Sequence, residues 1–83
     1  MEQYFILART VTYAQRMEKS LMRAGFRCQI FRAPRDLAES GCAYTVKVTT
    51  DDIFTVLYVL RRESLKPEKI FVFRDKFYRE VVL

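Results

Sequence analysis

Two stretches of this 83-residue chain carry the apolar spacing of a helix, and strand-like segments lie before, between and after them. That alternation is the strongest constraint on the fold. In "TVTYAQRMEKSLMRAG", Val11, Ala14, Met17, Leu21 and Ala24 recur at 3- and 4-residue steps. Thr10 or Thr12 can cap this helix, and Thr12 with Gln15 has the spacing of a capping box. Gly25 is a natural left-handed stop. In the second stretch Thr50 or Asp51 can serve as the cap, and Ile53, Val56, Leu57 and Leu60 form the apolar stripe. "RRESLKPE" closes it with positive charge and a proline.

The remaining segments read as strands. "QYFILAR" is rich in aromatic and branched residues. "FRCQIFRA" alternates, with Phe26, Cys28 and Ile30 on one face. "AYTVKVTT" sets Tyr44, Val46 and Val48 against Thr45, Lys47 and Thr49. "KIFVF" follows the second helix, and the tail "RDKFYREVVL" can add a C-terminal strand through a turn near Asp75. The predicted order is therefore β-α-β-β-α-β plus that extra strand. It defines an α+β class, a ferredoxin-like split βαβ sandwich with an antiparallel sheet and two helices on one face. The length suits one domain over residues 1–83, and no Pro- or Gly-rich linker, repeat or low-complexity tract divides it.

Composition excludes several functions. Hydrophobic residues make up 51% and aromatics 14%, values of a folding chain. A core this small gives marginal stability, which is compatible with a homodimer. No apolar run approaches the roughly 20 residues that span a bilayer. The start "MEQYFILART" has no basic n-region followed by a cleavage site, so the cytoplasm is the expected location and no membrane contact is expected. The net charge is +5, but the basic residues are scattered rather than clustered, which disfavours nucleic acid as a partner.

The chain has two cysteines, Cys28 and Cys42, and no histidine. Two isolated cysteines are not a disulfide framework, and no CxxC or metal-ligand cluster is present. Without histidine, Ser/His and Cys/His hydrolysis cannot be built within one chain. The two glycines, Gly25 and Gly41, form no phosphate loop. Asp51 and Asp52 are adjacent at a helix start and read as caps, not as an acid/base pair. No cofactor and no metal are expected, and a carrier or interaction domain is expected rather than a turnover enzyme.

One stretch breaks the regular pattern. "PRDLAESGC", residues 34–42, joins the second strand to the third. In the predicted topology this connection lies at the same end of the sheet as the connection into the first helix, near Thr10 and Thr12. A helix start offers free N–H groups and the positive end of its dipole. A cysteine facing it has a lowered pKa, Arg35 adds positive charge, and Gly41 permits close approach of another molecule. Pro, Asp, Ser and Gly are also what any inter-strand turn contains, and a free cysteine is often a buried apolar residue. Cys28, between Phe26 and Ile30, reads as core.

The run "FRAPRDLAESGCAYTVKV", followed by a helix and a strand, resembles the selenium/sulfur carrier-like proteins. The matching residues are Pro34, Arg35, Asp36, Leu37, Ser40, Gly41 and Cys42, and the segment from Thr10 to Ala14 is also similar. The family usually has Gly directly after the cysteine, whereas Ala43 follows it here and Gly41 precedes it. The resemblance implies that Cys42 carries sulfur or selenium as a persulfide or selenosulfide. Arg35, Ser40 and Gly41 would form the thiolate's surroundings, Thr10 and Thr12 the anion-holding helix start, and donor and acceptor proteins the partners. Two other functions remain open. Phe5, Phe31 and Phe71 on an open sheet face would suit RNA. A terminal strand such as "FYREVVL" would suit edge-to-edge pairing in an interaction domain.

Overall fold

The computed structural model describes residues 1–35, 37 and 44–82. Its elements are β1 (Glu2–Ala8), α1 (Val11–Arg23), β2 (Arg27–Arg32), β3 (Tyr44–Thr50), α2 (Ile53–Arg62), β4 (Lys69–Arg74) and β5 (Phe77–Glu80). They form an antiparallel five-stranded sheet in the order β2-β3-β1-β4-β5. The fold is the expected ferredoxin-like split βαβ arrangement with a C-terminal strand, and β2 and β5 form the edges.

β1 is the central strand, and it is buried from Tyr4 to Ala8 without a break. Tyr4, Ile6 and Ala8 join the helix-side core with Val46, Val48, Ile70 and Val72. Phe5 and Leu7 face the other side, where Leu37 covers them and Phe71, Phe73 and Tyr78 pack alongside. Burial on both faces explains why this strand reads "YFILA", a run without polar alternation. It also corrects one expectation. Phe5, Phe31 and Phe71 do lie on the face away from the helices, but Phe5 is only 8% exposed. Its ring makes edge contacts with Phe73 and Tyr78, so it is no open stacking platform.

α1 begins at Thr10, whose hydroxyl accepts the Tyr13 N–H at 3.0 Å. Thr12 lies inside the first turn, so Thr12–Gln15 is not the capping pair. Ala14, Met17 and Leu21 are buried as expected, whereas Val11 and Ala24, at the two ends, are exposed. Only the middle of the helix is backed by sheet. The extra inward position belongs to Ser20, whose hydroxyl donates to Glu63 at 3.4 Å, beside the Arg23–Glu63 ion pair at 2.8 Å. This cluster ties α1 to the end of α2.

Both helices end in the same way. After α1, Gly25 (φ 93°) donates to Met22 and Phe26 donates back to Leu21. After α2, Ser64 (φ 57°) donates to Arg61 and Leu65 to Leu60. These are Schellman closures, each followed by an apolar residue that returns to the core. The β4–β5 hairpin turns through Asp75 (φ 53°) and Lys76 (φ 69°) between the paired Arg74 and Phe77. A side chain in the left-handed region is strained, so Ser64→Gly and Lys76→Gly should each raise stability by roughly 0.5–1 kcal/mol. Urea denaturation measures this, and a loss at either position contradicts the left-handed backbone there.

α2 is capped by Asp52, not by Thr50 or Asp51. The Asp52 carboxylate accepts the Thr55 N–H at 3.1 Å and the Thr55 hydroxyl at 2.5 Å. Thr50 instead accepts the Asp52 N–H at 3.0 Å, which sets the chain's entry angle into the helix. The two Thr55 bonds favour the ionised carboxylate, so the Asp52 pKa is lowered. A lowered folded-state pKa gives stability that is present above the unfolded value. That stability is lost as pH falls through the folded value. Asp52→Asn should therefore flatten the acid limb of a stability–pH profile, below the ordinary Asp range of about 3.9. An unchanged acid limb in urea titrations would contradict this assignment. Ile53, Val56 and Leu60 are buried along the stripe and Leu57 is partly buried.

Candidate functional site

Strand register brings three connections to one end of the sheet. Ala8 pairs with Tyr44, and Tyr44 pairs with Arg32. The exit of β1, the exit of β2 and the entry of β3 are therefore level. Leu7 pairs with Lys69, and the Glu68 N–H donates to the Leu7 carbonyl at 2.9 Å, so the α2–β4 connection joins them. The β1–α1 and β2–β3 connections thus share an end, as the topology requires.

The start of α1 is the electrostatic feature of this end. Thr10 satisfies the Tyr13 N–H, while the N–H groups of Val11 and Thr12 have no intrahelical acceptor. No acidic residue lies in the first turn to offset the dipole. The Arg9 guanidinium lies 5.2 Å from the Tyr13 ring centre and that of Arg16 lies 6.0 Å from it. Arg9 also pairs with Glu68 at 3.4 Å.

Tyr13 fastens the first turn of α1 to the α2–β4 connection. Its hydroxyl accepts the Lys66 N–H at 2.6 Å and donates to the Ser64 carbonyl at 3.5 Å. The sequence gives no sign of this role, because Tyr13 and Lys66 are far apart in the chain and Tyr13 lies outside the apolar stripe. Packing of α1 against the sheet creates the contact.

The β2–β3 connection enters through Pro34 and Arg35. Arg35 is exposed. The Leu37 N–H donates to the Pro34 carbonyl at 2.8 Å in a short helical turn. Leu37 is 4% exposed and holds this turn against Phe5 and Leu7. Ser40, Gly41 and Cys42 lie outside the described residues. Of the expected site residues, Thr10 and Thr12 sit together at the helix start, with Thr10 as the cap and Thr12 exposed one residue into the helix.

Cys28 is half-buried at the margin of the core, not inside it as expected. It packs with Phe26 and Ile30 against the helix-side core, and its thiol reaches the Glu18 carbonyl at 3.6 Å. Burial, with a smaller contribution from the Glu18 charge, pushes its pKa up to about 11. It stays a thiol at neutral pH and is a poor nucleophile. Among the described residues no group of three or more His, Cys, Asp or Glu could hold a metal ion. No helix among them is long and apolar enough to cross a membrane.

This architecture defines a small ferredoxin-like domain with three connections at one end of its sheet. The chain belongs to the family described as "Putative Se/S carrier protein-like", whose model matches residues 3–72. The match runs from β1 into β4 and includes the whole 34–42 stretch. No curated protein and no solved structure matches the chain.

Proposed function

We propose that this protein carries sulfur or selenium on Cys42, taking it from a donor protein and passing it to an acceptor. The observation that carries this reading is membership of the carrier-like family over residues 3–72, a span that contains the Pro-Arg…Cys run. In the loading step the Cys42 thiolate attacks the outer sulfur of a donor persulfide. A new S–S bond forms on Cys42, the donor S–S bond breaks, and the donor cysteine leaves as a thiolate with the electron pair. The outer sulfur retains its proton. Delivery is the same exchange with an acceptor thiolate attacking. Neither step needs an outside oxidant or a general base, so the lack of histidine is consistent with it.

Supporting features surround the helix start. The N–H groups of Val11 and Thr12, which have no intrahelical acceptor, and the cations Arg9, Arg16 and Arg35 favour an anion at this end of the sheet. Cys28, with its raised pKa, would not compete as the carrier.

The test uses the purified chain with a cysteine desulfurase and cysteine, read by intact mass. Wild type and Cys28→Ala should each gain the mass of one sulfur atom, and Cys42→Ala should not. Equal gain by Cys42→Ala would overturn the reading. In parallel, a small disulfide reagent at neutral pH should label Cys42→Ala far more slowly than Cys28→Ala.

A further inference from the structure

An apolar groove of about 1050 Å³ runs between α2 and the adjoining ends of β4 and β5. Leu65, Ile70 and Val81 are among its lining, and on its α2 side Phe54 and Tyr58 stand 74% and 60% exposed. Two large aromatics one helical turn apart, both open to solvent, are not needed by the core, which α2 already meets through Ile53, Val56 and Leu60. Phe54, Tyr58 and Arg61 follow i, i+4, i+7 spacing and make a continuous ridge along the groove.

Charge decides the occupant. Arg61, Lys66 and Lys69 line the groove, and none of them pairs with a carboxylate among the described residues. Of the two acidic residues there, Glu68 is held by Arg9, which leaves Glu80. A second copy of this chain would bring the same three cations against these, with a net +5 on each molecule. A nucleic acid would find cations but would leave the aliphatic lining uncovered. We propose that this groove docks an amphipathic helix of a partner protein, apolar on one face and acidic on its flanks.

The proposal goes beyond the carrier reading and does not require Cys42 to carry anything. The groove does sit at the site's end of the sheet. Its lining residue Lys66 donates its N–H to Tyr13, and Lys69 pairs with Leu7. A helix seated there would lie beside the start of α1.

The test titrates the isotope-labelled full chain with a synthetic peptide of about 18 residues, long enough to form an amphipathic helix. The peptide has leucine at helical spacing and glutamate elsewhere, and a matched peptide replaces each glutamate with lysine. Saturable amide shifts should map to α2, to Leu65 through Ile70, and to Val81. The lysine peptide should bind at least about tenfold more weakly, and the double variant R61E/K66E should weaken the glutamate peptide by a similar factor. Phe54→Ser with Tyr58→Ser, both at exposed positions, should abolish binding while leaving the amide spectrum folded. Four outcomes would overturn the proposal: no saturable shift, equal binding of the two peptides, shifts centred elsewhere, or concentration-dependent shifts in the same residues without peptide, which would make the occupant a second copy. Desulfurase loading of Cys42 is scored separately, so either proposal can fail alone.

Discussion

Leu60→Ala should lower the free energy of unfolding by roughly 2–5 kcal/mol, while Phe54→Ala on the same helix should change it by less than about 0.5 kcal/mol. The two residues differ in what surrounds them. Leu60 is fully buried among the helix-side core residues, and its carbonyl accepts the Leu65 N–H that closes α2. Truncation leaves a cavity between helix and sheet that a small domain cannot close. Leu65 itself is 2% exposed, so the end of the helix would loosen with the cavity. Phe54 is 74% exposed and leaves no void. Such a residue accounts for about a third of the stability of a domain whose typical total is about 5–15 kcal/mol. Thermal melts should show the same contrast, since each kcal/mol shifts the midpoint by about 4–8 °C in so short a chain. A cost at Phe54 similar to that at Leu60 would mean that α2 is packed the other way round.

The second large effect falls on the stretch that breaks the sequence pattern. Leu37→Ala should cost about 2–3 kcal/mol, in the lower part of the range for a buried leucine, because its cluster is small and close to solvent. Leu37 packs with Phe5 and Leu7 on the side of the sheet away from the helices. Losing it removes the apolar anchor of the β2–β3 connection. The global cost can be read by urea denaturation. Exchange of the Leu37 amide, which donates to the Pro34 carbonyl, should also rise by more than the global loss of stability accounts for, because the anchor is local. If Cys42 carries sulfur, Leu37→Ala should also slow loading by a desulfurase under conditions where the chain remains folded. Exchange that rises only in step with global stability would show that Leu37 is ordinary core and not an anchor for the connection.

Local physics made some features legible and hid others. A cap at Thr10 or Thr12 could be read because a cap is a bond between a side chain and an N–H three residues on, and the structure selects Thr10. At α2 three capping residues stand in a row, and Thr50, Asp51 and Asp52 are locally equivalent. The choice of Asp52 depends on how the chain leaves β3, where Thr50 spends its hydroxyl on the Asp52 N–H. Gly25 announces its left-handed backbone, whereas Ser64 adopts one with nothing in its residue type to show it. The extra terminal strand could be read from alternation. The burial of Phe5 could not, since it depends on Leu37, more than thirty residues along the chain.

The candidate site divides in the same way. Topology alone required the β1–α1 and β2–β3 connections to share an end of the sheet, and the Ala8–Tyr44–Arg32 register agrees. The fastening of the α2–β4 connection by Tyr13 could not be foreseen, because it needs α1 docked at one particular rotation. The groove beside α2 was hidden for a similar reason. The stripe already sets Phe54 and Tyr58 apart from the core face, but the groove they border exists only once β4, β5 and the α2–β4 connection lie beside α2.

The order of helices and strands, the faces of most strands and the inert character of Cys28 follow from the sequence by itself, because spacing and composition act over a few residues. The tertiary structure decided which residue caps α2, how Phe5 came to be buried, how Tyr13 ties the α2–β4 connection to α1, and where an unfilled apolar groove remains. Those depend on contacts between segments far apart in the chain, whose geometry exists only once the sheet has paired.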